Sequence, residues 1–288
     1  MRTAGGAWVV ALVGAGVIAH TSGAAAQGLA RSRDDATTMA VFGTNVLLGG
    51  VTAATRALIG RRDPARAFAL GALGGAVHFS GKLVGPLSGF PGGIPAVVLG
   101  STGTAIVSNA AHGLGIFDEL LVPVGPLRVR YARSEPRKIR LAVNAYDAVD
   151  LARNLARAGM TLDWDESAAS GTFAFVTRGT LIKLSNGDLA GGLQTGSSFI
   201  ISSLSTDRRR TARHELVHVQ QYWFLQEAIG RPVEAYLRAR VPGGQYVPRW
   251  LELGIVPPVL GWTENVIFGR DGPVYRLAQS EAEMLESR

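Results

Sequence analysis

Arg213-His214-Glu215-Leu216-Val217-His218-Val219-Gln220-Gln221 is the stretch on which the reading of this chain turns. His214, Glu215 and His218 form the pattern H-E-x-x-H. On a helix, residues i and i+4 lie one above the other, so both imidazoles can reach a single zinc ion. Glu215, next to the first imidazole, can then act as general base toward a water at an open coordination position. The flanks predict a helix: Ser205, Thr206 or Asp207 offers an N-cap, Gly230 a stop and Pro232 a breaker just beyond. Leu216, Val217, Val219, Trp223, Phe224 and Leu225 would bury most of its surface. The competing reading makes His214 and His218 packed core histidines and Glu215 a solvated acid.

This stretch resembles the active-site helix of the zincin metallopeptidases. The match is strong over the helix and looser from about residue 126 to the end. Metzincins continue the motif with Gly and a third His, but Gln221 and Phe224 stand at those positions here. The other three histidines, His20, His78 and His112, lie far upstream in small, apolar segments, where packing is their expected role. The resemblance is therefore to the gluzincins, thermolysin-like enzymes in which a downstream helix supplies a glutamate ligand. The tail Gln279-Ser280-Glu281-Ala282-Glu283-Met284-Leu285 is similar to the segment in that role.

The resemblance implies an α+β zincin-like domain with a mixed sheet, Zn2+ as cofactor, and hydrolysis of a peptide or protein substrate. Glu281 is the expected third ligand beside His214 and His218, and Glu283 the expected outer-shell carboxylate. Glu227 is nine residues beyond His218 on the same helix, about 13 Å along its axis, which is too far. Glu234 follows the Gly230–Pro232 break too closely. Glu252, Glu264 and Glu283 stay open as alternatives to Glu281. Strands preceding the active helix are the order of a zincin upper subdomain, where an edge strand pairs with extended substrate. Exported bacterial proteins share the resemblance, so it implies a chemistry and not a substrate.

Composition supports a folded chain. Of 288 residues, 47% are hydrophobic and 18% charged, which excludes a disordered polyelectrolyte. With no cysteine, disulfides and thiolate-bound zinc are excluded. The net charge of +7 suits an anionic membrane surface or acidic partners. Scattered arginines without an aromatic binding motif do not support nucleic acid. Gly100-Ser101-Thr102-Gly103-Thr104 lacks the lysine of a phosphate-binding loop.

Residues 1–26 read as a signal peptide: Met1-Arg2-Thr3, an apolar core from Ala7 to Ala19, and Ala24-Ala25-Ala26 before Gln27. An uncleaved anchor is the other reading, and either implies export to the periplasm or cell envelope. Residues 27–125 form a Gly/Ala-rich segment with expected helices at 37–59, 65–83 and 95–112. Its small residues suit close helix packing. Two readings stay open: a membrane-embedded hairpin with Arg56, Arg61, Arg62 and Arg66 in its turn, or a tightly packed soluble layer.

Residues 126–288 read as the zincin-like domain. Leu127–Tyr131 alternates like a half-buried strand, and Ala145 to Ala158 reads as a helix. Residues 160–164 and 172–177 read as strands paired across a turn at Ser170-Gly171. Residues 181–184 and 198–202 add two more, and helices are expected near 233–240 and 275–286. Tyr222, Tyr236, Tyr246 and Tyr275 are candidates to stabilise an oxyanion. The alternative to a metallopeptidase is a catalytically silent envelope or membrane-associated scaffold carrying a zincin-like domain.

Overall fold

The computed structural model describes residues 32–84, 93–179, 182–183, 189–248, 250–259 and 273–286. The expected signal peptide, His20 and Glu264 lie outside them.

Three long helices come first: α1 (Ser32–Ile59), α2 (Pro64–Val84) and α3 (Gly93–Ala111). They lie where the uncharged runs predict them. Glycine lets them approach closely. A Cβ at Gly49 would collide with the backbone of Gly71 and Gly75, and one at Gly81 with the backbone of Gly100. All three are long and apolar enough to cross a membrane, yet 28%, 44% and 72% of their respective apolar windows are buried in protein. That gradient puts α1 on the outside and α3 in the centre.

The chain then forms β1 (Glu119–Val124), β2 (Leu127–Ala132) and β3 (Ile139–Asn144), an antiparallel meander leading into helix α4 (Ala145–Ala156). Asn144 caps α4 by accepting from the Asp147 amide. Strand β4 (Met160–Asp163) runs into a short helix, α5 (Trp164–Ser170), before β5 (Phe173–Thr177). A turn was expected at Ser170-Gly171. Instead Asp163 accepts from the Glu166 amide and starts a helix, which Gly171 ends at φ 71°. The small pair β6 (Ile182–Lys183) and β7 (Leu189–Ala190) precedes β8 (Gly192–Thr195) and β9 (Ser198–Ser202).

Strands β4, β5, β9 and β8 form a mixed sheet in that order, with β5 and β9 parallel and the outer pairs antiparallel. Every residue of β9 is buried. Phe199 and Ile201 pack with Ala212, Val219, Tyr222 and Trp223 of the following helix, α6 (Arg208–Leu225). Ile200 faces the other way, toward Leu151, Met160 and Leu193. The period-2 alternation thus buries both faces of the strand that precedes the H-E-x-x-H helix.

Asp207 supplies the N-cap of α6, its side chain accepting from the Arg210 amide. The expected stop at Gly230 does not occur. The Arg231 amide donates to Gln226 O, making a π-turn at Gln226–Gly230, and the chain continues into α7 (Arg231–Arg240). Pro232 falls in the first turn of α7, where its missing N–H costs little. Strand β10 (Leu251–Glu252) adds in parallel to β3 and completes the first sheet, and α8 (Pro273–Glu286) closes the chain.

The compositional boundary near residue 125 does not divide the core. Ala53, Ala57, Ala67, Val107 and Ala110 of the helical layer form one cluster with Phe224 and Ala228. Val97 of α3 joins the cluster between α6 and the mixed sheet.

Candidate metal centre on helix α6

His214 and His218 stand one turn apart on α6, both partly buried. Their Nε2 atoms are 3.1 Å apart, with the rings edge to face. Two nitrogens about 2.0–2.1 Å from one tetrahedral zinc would be roughly 3.3 Å apart. The 3.1 Å separation closes an N–H···N hydrogen bond between the rings and is also close to the spacing of two ligands of one ion. The His218 pKa is lowered to about 4: burial is the largest cause, and the His214 ring adds to it against hydrogen bonds to Gln221 and Gln279. At neutral pH His218 is thus the neutral imidazole that metal binding needs.

Glu215 is 7% exposed and turned by one helical position from His214. It lies against Gly192, the first residue of β8: a Cβ there would come within 2.6 Å of Glu215 Oε1 and 2.8 Å of its Cγ. Strand β8 is an edge of the mixed sheet and packs along α6. β8 is thus the outer strand that packs along α6, and its glycine leaves room for the glutamate.

Glu281 reaches this neighbourhood from α8. Lys82 Nζ donates to both of its carboxylate oxygens at 2.8 Å, and Asn45 Nδ2 to Oε1 at 2.7 Å. Gln221 Nε2 donates to Oε2 at 2.6 Å, while Gln221 Oε1 lies 2.8 Å from His218 Nδ1. Burial by itself pushes the Glu281 carboxyl up. The Lys82 ammonium and the hydrogen bonds from Lys82, Gln221 and Asn45 outweigh it and hold the carboxyl below its ordinary range. Among the described residues no three His, Asp or Glu side chains gather closely enough to hold a metal ion. Two imidazole donors fit a zinc ion; the expected carboxylate donor is engaged by a lysine.

Glu283 is exposed, two residues beyond buried Glu281, because i and i+2 diverge on a helix. His218 Nδ1 is met by the Gln221 amide oxygen at 2.8 Å. Glu252 and Glu227 pair with Arg130, and Glu234 accepts from the amides of Leu253 and Gly254. Tyr222 donates to Asp147 in the core, and Tyr236 and Tyr246 are exposed. Buried His78 packs on Phe224, and His112 lies beside Arg56.

Sequence reasoning missed Asn45, Lys82, Gln221 and Gly192. One signal was available. Lys82 is the lone charge between Arg66 and Asp118, and a lone cation in an apolar run calls for a partner.

No family model matches the chain, and no curated protein or solved structure matches it either.

Proposed function

We propose that this protein is an exported zinc metallopeptidase whose site is built on α6. The supporting observation is the 3.1 Å approach of two Nε2 atoms on a helix whose intervening glutamate lies against an edge strand. His214 and His218 would hold the ion; Glu281, the third ligand that the resemblance implies, is engaged by Lys82 and stands behind Gln221. A zinc ion held there would supply Lewis acidity and make the attacking water easier to deprotonate. Glu215 takes a proton from the attacking water and returns it to the departing amide nitrogen. The outer edge of β8 would offer backbone groups to an extended peptide and so align the scissile bond with Glu215.

Export rests on the N-terminal pattern of residues 1–27. The apolar windows of α1 to α3 support association with a membrane, with α1 as the outer face.

The engagement of Glu281 by Lys82 favours a second reading, a silent envelope protein in which the zincin-like part is a scaffold. Metal analysis of the purified protein, with a peptide-library digest with and without chelator, separates the two. Stoichiometric zinc and chelator-sensitive cleavage, both lost in His214→Ala, support the peptidase. Metal-free protein without cleavage, even after zinc is supplied, overturns it.

A further inference from the structure

Gln221 has two ends, and its surroundings distinguish them. Its Nε2 faces Glu281 Oε2 at 2.6 Å and the Ala278 carbonyl oxygen at 3.2 Å. Both partners are acceptors, because Glu281 is paired with Lys82 and is ionised. The amide can therefore be placed only one way, with NH2 toward α8 and Oε1 toward His218. An amide oxygen only accepts, so His218 Nδ1 must carry the proton that closes the 2.8 Å contact. A neutral imidazole holds one proton. With Nδ1 carrying that proton, the lone pair of a neutral His218 lies on Nε2, the nitrogen that faces His214, while Gln279 also hydrogen-bonds the ring.

The far end of this chain is anchored deep in the helical layer. The side chain of Lys82, on α2, is 3% exposed, and Nζ spans both Glu281 oxygens while also donating to Asn45 Oδ1 at 3.0 Å. Asn45, on α1, donates to Glu281 Oε1 and to Val41 O. Two helices of the apolar segment thus fix the carboxylate that fixes the amide. A buried ion pair is costly to retain merely for stability, since apolar residues of similar volume often do as well or better.

We infer that Lys82, Glu281 and Gln221 form a positioning relay that holds His218 as the Nδ1–H tautomer, with Nε2 presented to a metal shared with His214. This deepens the proposed metal centre and rests on it. It gives Glu281 a specific duty: the carboxylate acts through Gln221, and the ion pair with Lys82 is its working state. Outer-shell partners of ligating histidines commonly change metal affinity by about 10–100-fold when removed. It also gives the apolar segment a role at the site.

The test uses the full chain from residue 27, purified without metal and labelled with 15N at histidine. Long-range 1H–15N spectra report which ring nitrogen of His218 carries the proton, with no need for activity. The parent should show protonated Nδ1 and bare Nε2, and Gln221→Met should lose that preference. In chelator competition, zinc affinity of Gln221→Met should fall roughly 10–100-fold. Lys82→Met combined with Glu281→Gln removes both buried charges together, which avoids stranding either. This double variant should bind zinc more weakly than the parent, yet far better than His214→Ala.

A parent with protonated Nε2, or a Gln221→Met variant unchanged in both tautomer and zinc affinity, overturns the relay. So does a double variant as metal-free as His214→Ala, because Glu281 would then be a ligand. A parent that shows the expected tautomer and binds no zinc leaves the relay standing and removes the metal centre.

Discussion

Lys82 Nζ lies 2.8 Å from both carboxylate oxygens of Glu281, across 199 residues of chain. The pair ties the helical layer to the last helix beside the two candidate zinc-binding histidines. It separates two uses of Glu281, as ligand or as positioning carboxylate, that the same residue in the same place could serve.

Glu215→Gln should keep zinc and lose hydrolysis. The substituted amide preserves the buried shape against β8 but cannot accept a proton. A fall in kcat of roughly 10²–10⁴-fold is expected, with metal content unchanged. Metal loss comparable to that of His214→Ala would make Glu215 a ligand and not the base.

Gly192→Ala should act through Glu215. The new methyl would intrude on Glu215 Oε1, Glu215 Cγ and Thr211 Cγ2, all within 2.8 Å. The carboxylate must move away from the edge strand. Steady-state kinetics on any cleaved peptide should show kcat falling at least tenfold, with zinc affinity near that of the parent.

Two glycines of the helical layer should answer oppositely to alanine. Gly75 abuts the backbone of Asn45 and Val46, which cannot yield as a side-chain end could. Gly75→Ala should cost roughly 1–3 kcal/mol and weaken zinc through displaced Asn45. Gly43, with nothing within 4 Å of its would-be Cβ, should gain stability by up to about 1 kcal/mol. Urea denaturation of both variants checks the pair.

Acid should destabilise the protein partly through Glu227. Burial alone would raise its carboxyl pKa, but Arg130 and Arg231 outweigh burial and lower it from 4.5. The native state then binds fewer protons than the unfolded chain. This contribution is present above about pH 4.5 and is lost as pH falls through the depressed native value. Urea midpoints measured with chelator from pH 6 to 3 should fall more steeply for the parent than for Glu227→Gln. Parallel curves would show that Glu227 does not carry the effect.

The protein lacking residues 1–26 should sediment with membranes and resist a salt wash. Met39, Leu47, Leu58 and Ile59 are exposed on α1, with Phe68 and Leu73 on α2, so the outer helices present apolar surface. Recovery as a detergent-free, monodisperse monomer would instead make this layer a soluble one.

Local pattern in the sequence determined a good deal. Uncharged small-residue runs located α1 to α3 to within a few residues, and i, i+4 spacing put His214 and His218 on one face of α6. Side-chain chemistry offered Ser205, Thr206 or Asp207 as N-cap, and the fold uses Asp207. These features are written in neighbours a few residues apart, and one helical turn is enough to express them. Tertiary structure decided the rest. Gly230-Pro232 looked like an end, but a π-turn and the proline's first-turn position let the chain run on into α7. Nothing in Gly192-Leu193-Gln194-Thr195 marks an edge strand, because an edge is defined by which strands pair elsewhere. Glu281 reads as a third ligand by resemblance, but its contacts to Lys82, Asn45 and Gln221 could be seen only in the fold. An ion pair between residues 82 and 281 leaves no local periodicity, and only the packing of α8 against α1, α2 and α6 brings it into being.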